Sequence, residues 1–126
     1  MWKFKKSTRS ELEETEQRRY HRIKIIVGLV CRRSQGNNIN VFTDDVSEGG
    51  IRFFSQQSLE KKEDVSLEIP SGYGEMIRIE GRVIWIDQKG PHNYAGGIEF
   101  TRLSEENLQV WKKFIRRNSM KGQELD

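Results

Sequence analysis

Past a charged N-terminal stretch, the apolar residues of this 126-residue chain fall into short runs, several alternating with polar ones, as they do in half-buried strands. The first is the β-branched run Ile23–Val30. A second run occupies Ile39–Thr43 and a third Ile51–Phe54. Val65-Ser66-Leu67-Glu68-Ile69 alternates cleanly. In the longer run Met76–Ile86, Ile77, Ile79, Val83 and Trp85 are predicted to share an inward face, opposite Arg78, Glu80 and Arg82. Gly81 in its middle predicts a bend or bulge of the kind that lets a sheet curl. A last strand is expected over Tyr94–Phe100. Polar segments with turn chemistry separate the runs at Arg32–Asn38, Gln56–Glu63, Pro70–Gly74 and Asp87–Asn93.

Only the C-terminal part has a strong helical period. Leu103 precedes a Ser104 cap, Glu105 and Glu106 fill a first turn, and Lys and Arg crowd the end. Leu108, Trp111, Phe114 and Ile115 form one apolar stripe. Strands followed by one amphipathic helix predict a mainly β domain, a small antiparallel barrel with the helix across an opening or flank. The organisation read here is an N-terminal arm over 1–17, a domain over 18–118 and a tail over 119–126. Ser10-Glu11-Leu12-Glu13 has the form of a capping box, so a short helix is expected from Glu11 to Gln17. Leu12 is its one strong apolar residue, which makes its stability depend on docking.

Hydrophobic residues are 34% of the chain and charged residues 33%, so the core must be compact and small. The net charge of +3 argues against a protein that coats nucleic acid over its whole surface. Charge is unevenly placed: residues 1–33 hold ten Lys/Arg and four Glu, net +6, and the remaining twelve and fifteen give net −3. An anionic partner at the N-terminal end is the natural inference. The single Cys31 excludes an intrachain disulfide and suits a reducing, cytoplasmic setting. With it, His21 and His92 form no cluster at metal-ligand spacing. No apolar run approaches a membrane span.

Two stretches carry chemistry. In Asp44-Asp45-Val46-Ser47-Glu48-Gly49-Gly50, an extended backbone puts Asp45 and Ser47 on one face, and Gly49 and Gly50 allow positive φ and close approach of a ligand. The same residues also build turns between strands. Upstream, Arg18-Arg19-Tyr20-His21-Arg22 sets Arg18 and Arg22 four apart, on one side of a helix or of an extended segment, with Arg19 beside them. Read without a ligand it is a solvated basic turn. Guanidinium forks match phosphate oxygens and the O6/N7 edge of guanine, and a carboxylate accepts from guanine N1–H and N2–H₂. A guanine nucleotide with more than one phosphate would use both stretches. Arg52, Trp85 and Gly97 are secondary candidates for the same ligand. Trp85 is read first as core, with stacking on a base as its functional alternative.

Over about residues 17–118 the chain resembles the PilZ domain family of bacterial cyclic di-GMP receptors. The resemblance rests on RxxxR as Arg18 to Arg22 and on [DN]xSxxG as Asp45, Ser47 and Gly50. Gly81-Arg82-Val83-Ile84-Trp85, Gly97-Ile98-Glu99-Phe100 and Leu103-Ser104-Glu105-Glu106 are further matches. It implies a six-stranded antiparallel β-barrel with a C-terminal α-helix. It also implies an arginine segment that wraps over cyclic di-GMP, and no enzymatic activity. With no second domain visible to regulate in cis, the expectation is a relay to a partner protein in trans, without metal, cofactor or nucleic-acid polymer. The alternatives weighed are an adaptor of the same fold that works without nucleotide, and a small barrel binding single-stranded nucleic acid. An enzyme is disfavoured because neither Ser47 nor Cys31 has a histidine at a suggestive spacing.

Overall fold

The computed structural model describes residues 22–125, with side chains as far as Ser119. The strands are β1 (Ile23–Lys24), β2 (Gly28–Arg33), β3 (Ile39–Ser47), β4 (Gly50–Ser55), β5 (Asp64–Pro70), β6 (Met76–Gly90) and β7 (Asn93–Arg102). One helix follows, α1 (Glu105–Leu125). All pairings are antiparallel, in the order β3-β2-β5-β6-β7-β4, and β4 returns to pair with β3. That return closes a six-stranded barrel, so the expected fold class is the observed one.

β1 is an additional strand. Phe42 of β3 pairs with Gly28 on one side and Phe54 on the other, and Asp45 pairs with Lys24 and Arg52 in the same way. β1 therefore continues the line of β2, and the single strand expected over residues 23–30 is broken at 25–27. Buried Thr43 pins the break: its hydroxyl donates to the Ile25 carbonyl (2.5 Å) and accepts from the Val27 amide (2.9 Å).

The core fills the barrel with Leu29, Cys31, Val41, Val46, Ile51, Phe53, Leu67, Ile69, Ile77, Ile79, Val83 and Ile98. Leu59, in the segment expected to be a polar turn, is 1% exposed and anchors that connection from inside. The 87–93 loop is also shorter than expected. β6 and β7 pair as far as Gly90 and Asn93, leaving Pro91 and His92 as the turn.

The register shifts at four points in the β3–β4 and β6–β7 pairings, and two of them change which residues face inward. The β3–β4 register shifts between Thr43 and Asp45, and the β6–β7 register shifts between Val83 and Trp85. Each is a bulge that inserts one residue and reverses which side chains face inward. Thr43 and Val46 are both buried, so Asp45 faces out. Likewise Val83 is buried and Ile86 packs on the core, so Trp85 faces out. This corrects the reading of Trp85 as core. Gly81 does sit at a register shift, and a Cβ there would lie 2.6 Å from Ile98 Cγ2 and 3.0 Å from the Glu99 carbonyl oxygen.

α1 crosses the barrel end that holds the β3–β4 hairpin and the β5–β6 turn, packing against β1 and β6. Ser104 caps it by accepting from the Asn107 amide at 3.0 Å. Trp111 is fully buried and Phe114 nearly so, Trp111 edge-on to Phe100 and stacked on Phe114. The helix runs through residues 119–125, which were expected to be tail. Lys112, Lys113, Arg116 and Arg117 therefore lie in its middle and not at its end. The expected arm over 1–17, its short helix, and Arg18 and Arg19 lie outside the described residues.

Candidate functional site

The register assembles the site. Lys24, Asp45, Arg52, Gly97 and Trp85 are consecutive cross-strand partners on β1, β3, β4, β7 and β6. Directly paired residues project to the same face of a sheet, so these five form one row across the outside of the barrel. The five lie in three distant parts of the sequence, and the bulges at Asp44 and Ile84 are what bring Asp45 and Trp85 into the row.

Asp45 is the electrostatic centre. Arg22 Nε donates to its Oδ1 at 2.6 Å, and Arg52 Nη1 lies 3.5 Å from its Oδ2. The side chains are largely sequestered, 7% exposed for Arg22 and 14% for Asp45, so this pair is screened far less than a surface ion pair. Next along β3, Lys24 Nζ donates to Asp44 Oδ1 at 2.8 Å, and that bond holds the lysine above its ordinary pKa.

Gly97 is in the row because nothing larger fits. A Cβ built on it would lie 2.3 Å from Trp85 Nε1, so the indole lies across the glycine. Glycine 97 and the half-buried tryptophan make a flat, apolar flank beside the Asp45 and Arg52 charges.

The serine and glycines of the motif are placed differently from expectation. Ser47 lies on the outer side with Asp45 by strand parity, but α1 covers it and it is fully buried. Its Oγ accepts from the Gly49 amide at 3.2 Å and lies 3.4 Å from the Gly50 carbonyl, while its own carbonyl accepts from Trp111 Nε1 at 2.9 Å. Its hydroxyl hydrogen-bonds within the hairpin. Gly49 and Gly50 are not left-handed either: positive φ among the described residues occurs at Gly36, Lys62, Gly72 and Gly74. Gly50 pairs with Ser47 and Glu99, and the Gly49 carbonyl accepts from Phe100, which fixes the turn in ordinary backbone geometry.

Of the residues named from sequence, Arg22, Asp45, Arg52, Trp85 and Gly97 come together. Ser47, Gly49 and Gly50 support them from the adjacent turn. Lys24 was missed, and its only signal was its place at the start of the first strand. Among the described residues no cluster of metal-ligating side chains occurs, and no helix is long and apolar enough to cross a membrane.

A sequence model of the PilZ domain matches residues 16–117, spanning both motifs, the row and most of α1. The chain belongs to the PilZ domain family. The fold agrees with solved PilZ-containing structures. Inhibitor of motility (MotI/DgrA) of Bacillus subtilis aligns with a TM-score of 0.64 at 19% identity, over 79% of this chain and 50% of that one. YcgR of Escherichia coli, solved in complex with c-di-GMP, gives 0.68 at 17% identity, over 86% of this chain and 48% of that one. The c-di-GMP complex of MrkH from K. pneumonia gives 0.68 at 15%, over 86% and 55%. This chain thus spans about half the length of these three. No curated protein sequence is significantly similar to it.

Proposed function

We propose that this PilZ domain is a non-enzymatic receptor that binds cyclic di-GMP on the Asp45 row and relays occupancy to a partner protein. The observation that carries this reading is the pairing of Arg22 with Asp45 beside Arg52, Gly97 and Trp85. Such a pair is a preloaded exchange site. A nucleotide supplies phosphate oxygens, or guanine O6 and N7, to the guanidinium of Arg22, and N1–H and N2–H₂ to the carboxylate of Asp45. Both charges keep a partner throughout, which offsets the cost of breaking a sequestered ion pair. Trp85 offers a face on which a base stacks, and Arg18 and Arg19 add donors to the phosphates. The family assignment and the c-di-GMP complexes of YcgR and MrkH support the choice of nucleotide.

Relay follows from where Arg22 sits. It directly precedes β1, so moving it from Asp45 onto a ligand moves the chain before it. In this reading the ligand orders the arginine segment and repositions Trp2, Phe4 and the Glu11–Gln17 stretch for a partner to read.

Calorimetry with cyclic di-GMP tests the binding. Arg22→Ala and Asp45→Ala are each expected to weaken affinity about ten- to a hundredfold, the worth of about 1.5–3 kcal/mol for a charge-assisted hydrogen bond. Asp45→Ala should also reduce preference over cyclic di-AMP, since adenine has no N1–H or N2 amine to give a carboxylate. No measurable binding by the folded wild type, or wild-type affinity in both variants, would overturn the assignment.

A further inference from the structure

The four cations in the middle of α1 have no role at a helix end, and none of them forms an ion pair with another described residue. Lys113, Arg116 and Arg117 are exposed, and Lys112 is partly so. Beside them a cleft of about 290 Å³ opens between α1 and the β5–β6 turn, with Val110 and Phe114 along one side and Ser71, Tyr73 and Glu75 on the other. The Arg117 guanidinium lies 4.0 Å from the centroid of the Tyr73 ring, at the rim of this cleft. The surface is thus a notch of mixed apolar and polar lining, with Lys113 and Arg117 on its wall together with the single carboxylate of Glu75.

One segment of the chain has the complementary character. Residues 10–17, Ser-Glu-Leu-Glu-Glu-Thr-Glu-Gln, carry four glutamates, no cation and a single large apolar side chain, Leu12. We propose that this segment docks on the cationic face of α1, with Leu12 in the cleft beside Phe114 and the glutamates on Lys113, Arg116 and Arg117.

Three observations support that occupant over others. Charge matches four against four, within eight residues of one partner and six of the other. Position matches as well, because Arg22, just before β1, lies on the barrel end that α1 crosses, and β1 packs against α1. The five steps from Gln17 to Arg22 reach at most about 18 Å, so the acidic segment is confined near that end. Finally, seven residues are too few to hold a helix alone in water, where about 12–15 are marginal, and one leucine gives this one little to bury without a receiving surface. The exposed pair Phe42 and Phe54 lies elsewhere, on the barrel wall. The docking goes beyond the nucleotide reading and holds or fails without nucleotide. It also gives the arginines between the two anchored ends, Arg18 and Arg19, a fixed starting place.

A nitroxide on Thr15→Cys tests it in the full chain. Cys31 is buried and its thiol is pushed up to about 12, so the label goes to residue 15 alone. In isotope-labelled protein without nucleotide, the amide signals of Lys113, Arg116, Arg117 and Tyr73 are expected to be lost to paramagnetic broadening at about 0.05 M salt. They should return near 1 M, where the Debye length falls to about 3 Å. The exposed double variant Lys113→Glu, Arg117→Glu should restore them at low salt. Full signals at low salt, broadening that survives both treatments, or broadening centred on Phe42 and Phe54 would each overturn the proposal. So would broadening that appears only when spin-labelled and isotope-labelled chains are mixed, since the contact would then join two copies. Nucleotide calorimetry on the same protein reports separately on the Asp45 row.

Discussion

Asp45 and Glu63 are both carboxylates held by arginine, and they differ in what the arginine is for. Arg33 grips Glu63 with two bonds, Nε at 2.6 Å and Nη2 at 3.1 Å, and Glu63 also accepts from the Glu60 amide at 2.9 Å. Burial alone would push its carboxyl up, but the Arg33 and Glu60 hydrogen bonds overcome that and hold it below the usual carboxylate range. These contacts join the end of β2 to the turn that leads into β5, far from the Asp45 row, so this pair is structural. A carboxyl depressed in the folded state stabilises above its unfolded pKa of about 4.3, and that contribution is lost as pH falls through the lower native value. Glu63→Gln should therefore cost about 1 kcal/mol at pH 7, the low end for a charged hydrogen bond reached by solvent. The gap between variant and wild type should close as pH drops below about 4. Urea unfolding of both proteins across that range checks it, and a gap independent of pH would assign the cost to packing.

Strands were legible because their runs are apolar at period two, and the helix because Ser104, the early glutamates and the Trp111–Phe114 stripe agree. The bulges at Asp44 and Ile84 were not, since neither residue departs from strand composition and a register shift belongs to a pair of strands. Hence Trp85 was read as facing inward, and the row linking it to Asp45 could not be seen. The burial of Ser47 was not legible for a related reason: α1 covers the hairpin, and its coverage has no local sequence signal. Two glycines test this account of the elements. Gly97→Ala drives a methyl into the Trp85 indole, and that half-exposed ring can swing away. It should leave the unfolding midpoint within about 1 kcal/mol of wild type, while the displaced stacking face weakens cyclic di-GMP by about 1–3 kcal/mol. Gly81→Ala instead meets the buried Ile98 side chain and the Glu99 carbonyl, where neither can retreat. Overpacking there should cost about 1–3 kcal/mol of stability with affinity retained among folded molecules. If the two substitutions behaved alike in both measurements, the division between platform and core would be wrong.

At the scale of the whole molecule the row has a special position, because it spans the seam that closes the barrel. β3 pairs with β4 there, β4 with β7, and β7 with β6, and Asp45, Arg52, Gly97 and Trp85 each sit on one of those strands. Trp111 ties the same seam to α1 through the Ser47 carbonyl. A ligand lying along the row would therefore tie four strands together, whereas β5 and the first half of β6 lie outside its reach. Ligand at a hundredfold excess over its Kd should add about 2.7 kcal/mol to unfolding. Where that appears is the sharper expectation. In amide hydrogen exchange, protection against opening below the global transition should rise at residues 45–47, 50–54 and 94–98, while Val65–Ile69 and Ile77–Ile79 keep their rates. If all strands gained protection equally, the seam would open only with the whole barrel, and the ligand would report on global stability alone. Gain confined to β5 and the start of β6 would put the nucleotide on the opposite wall and remove the Asp45 row from the site.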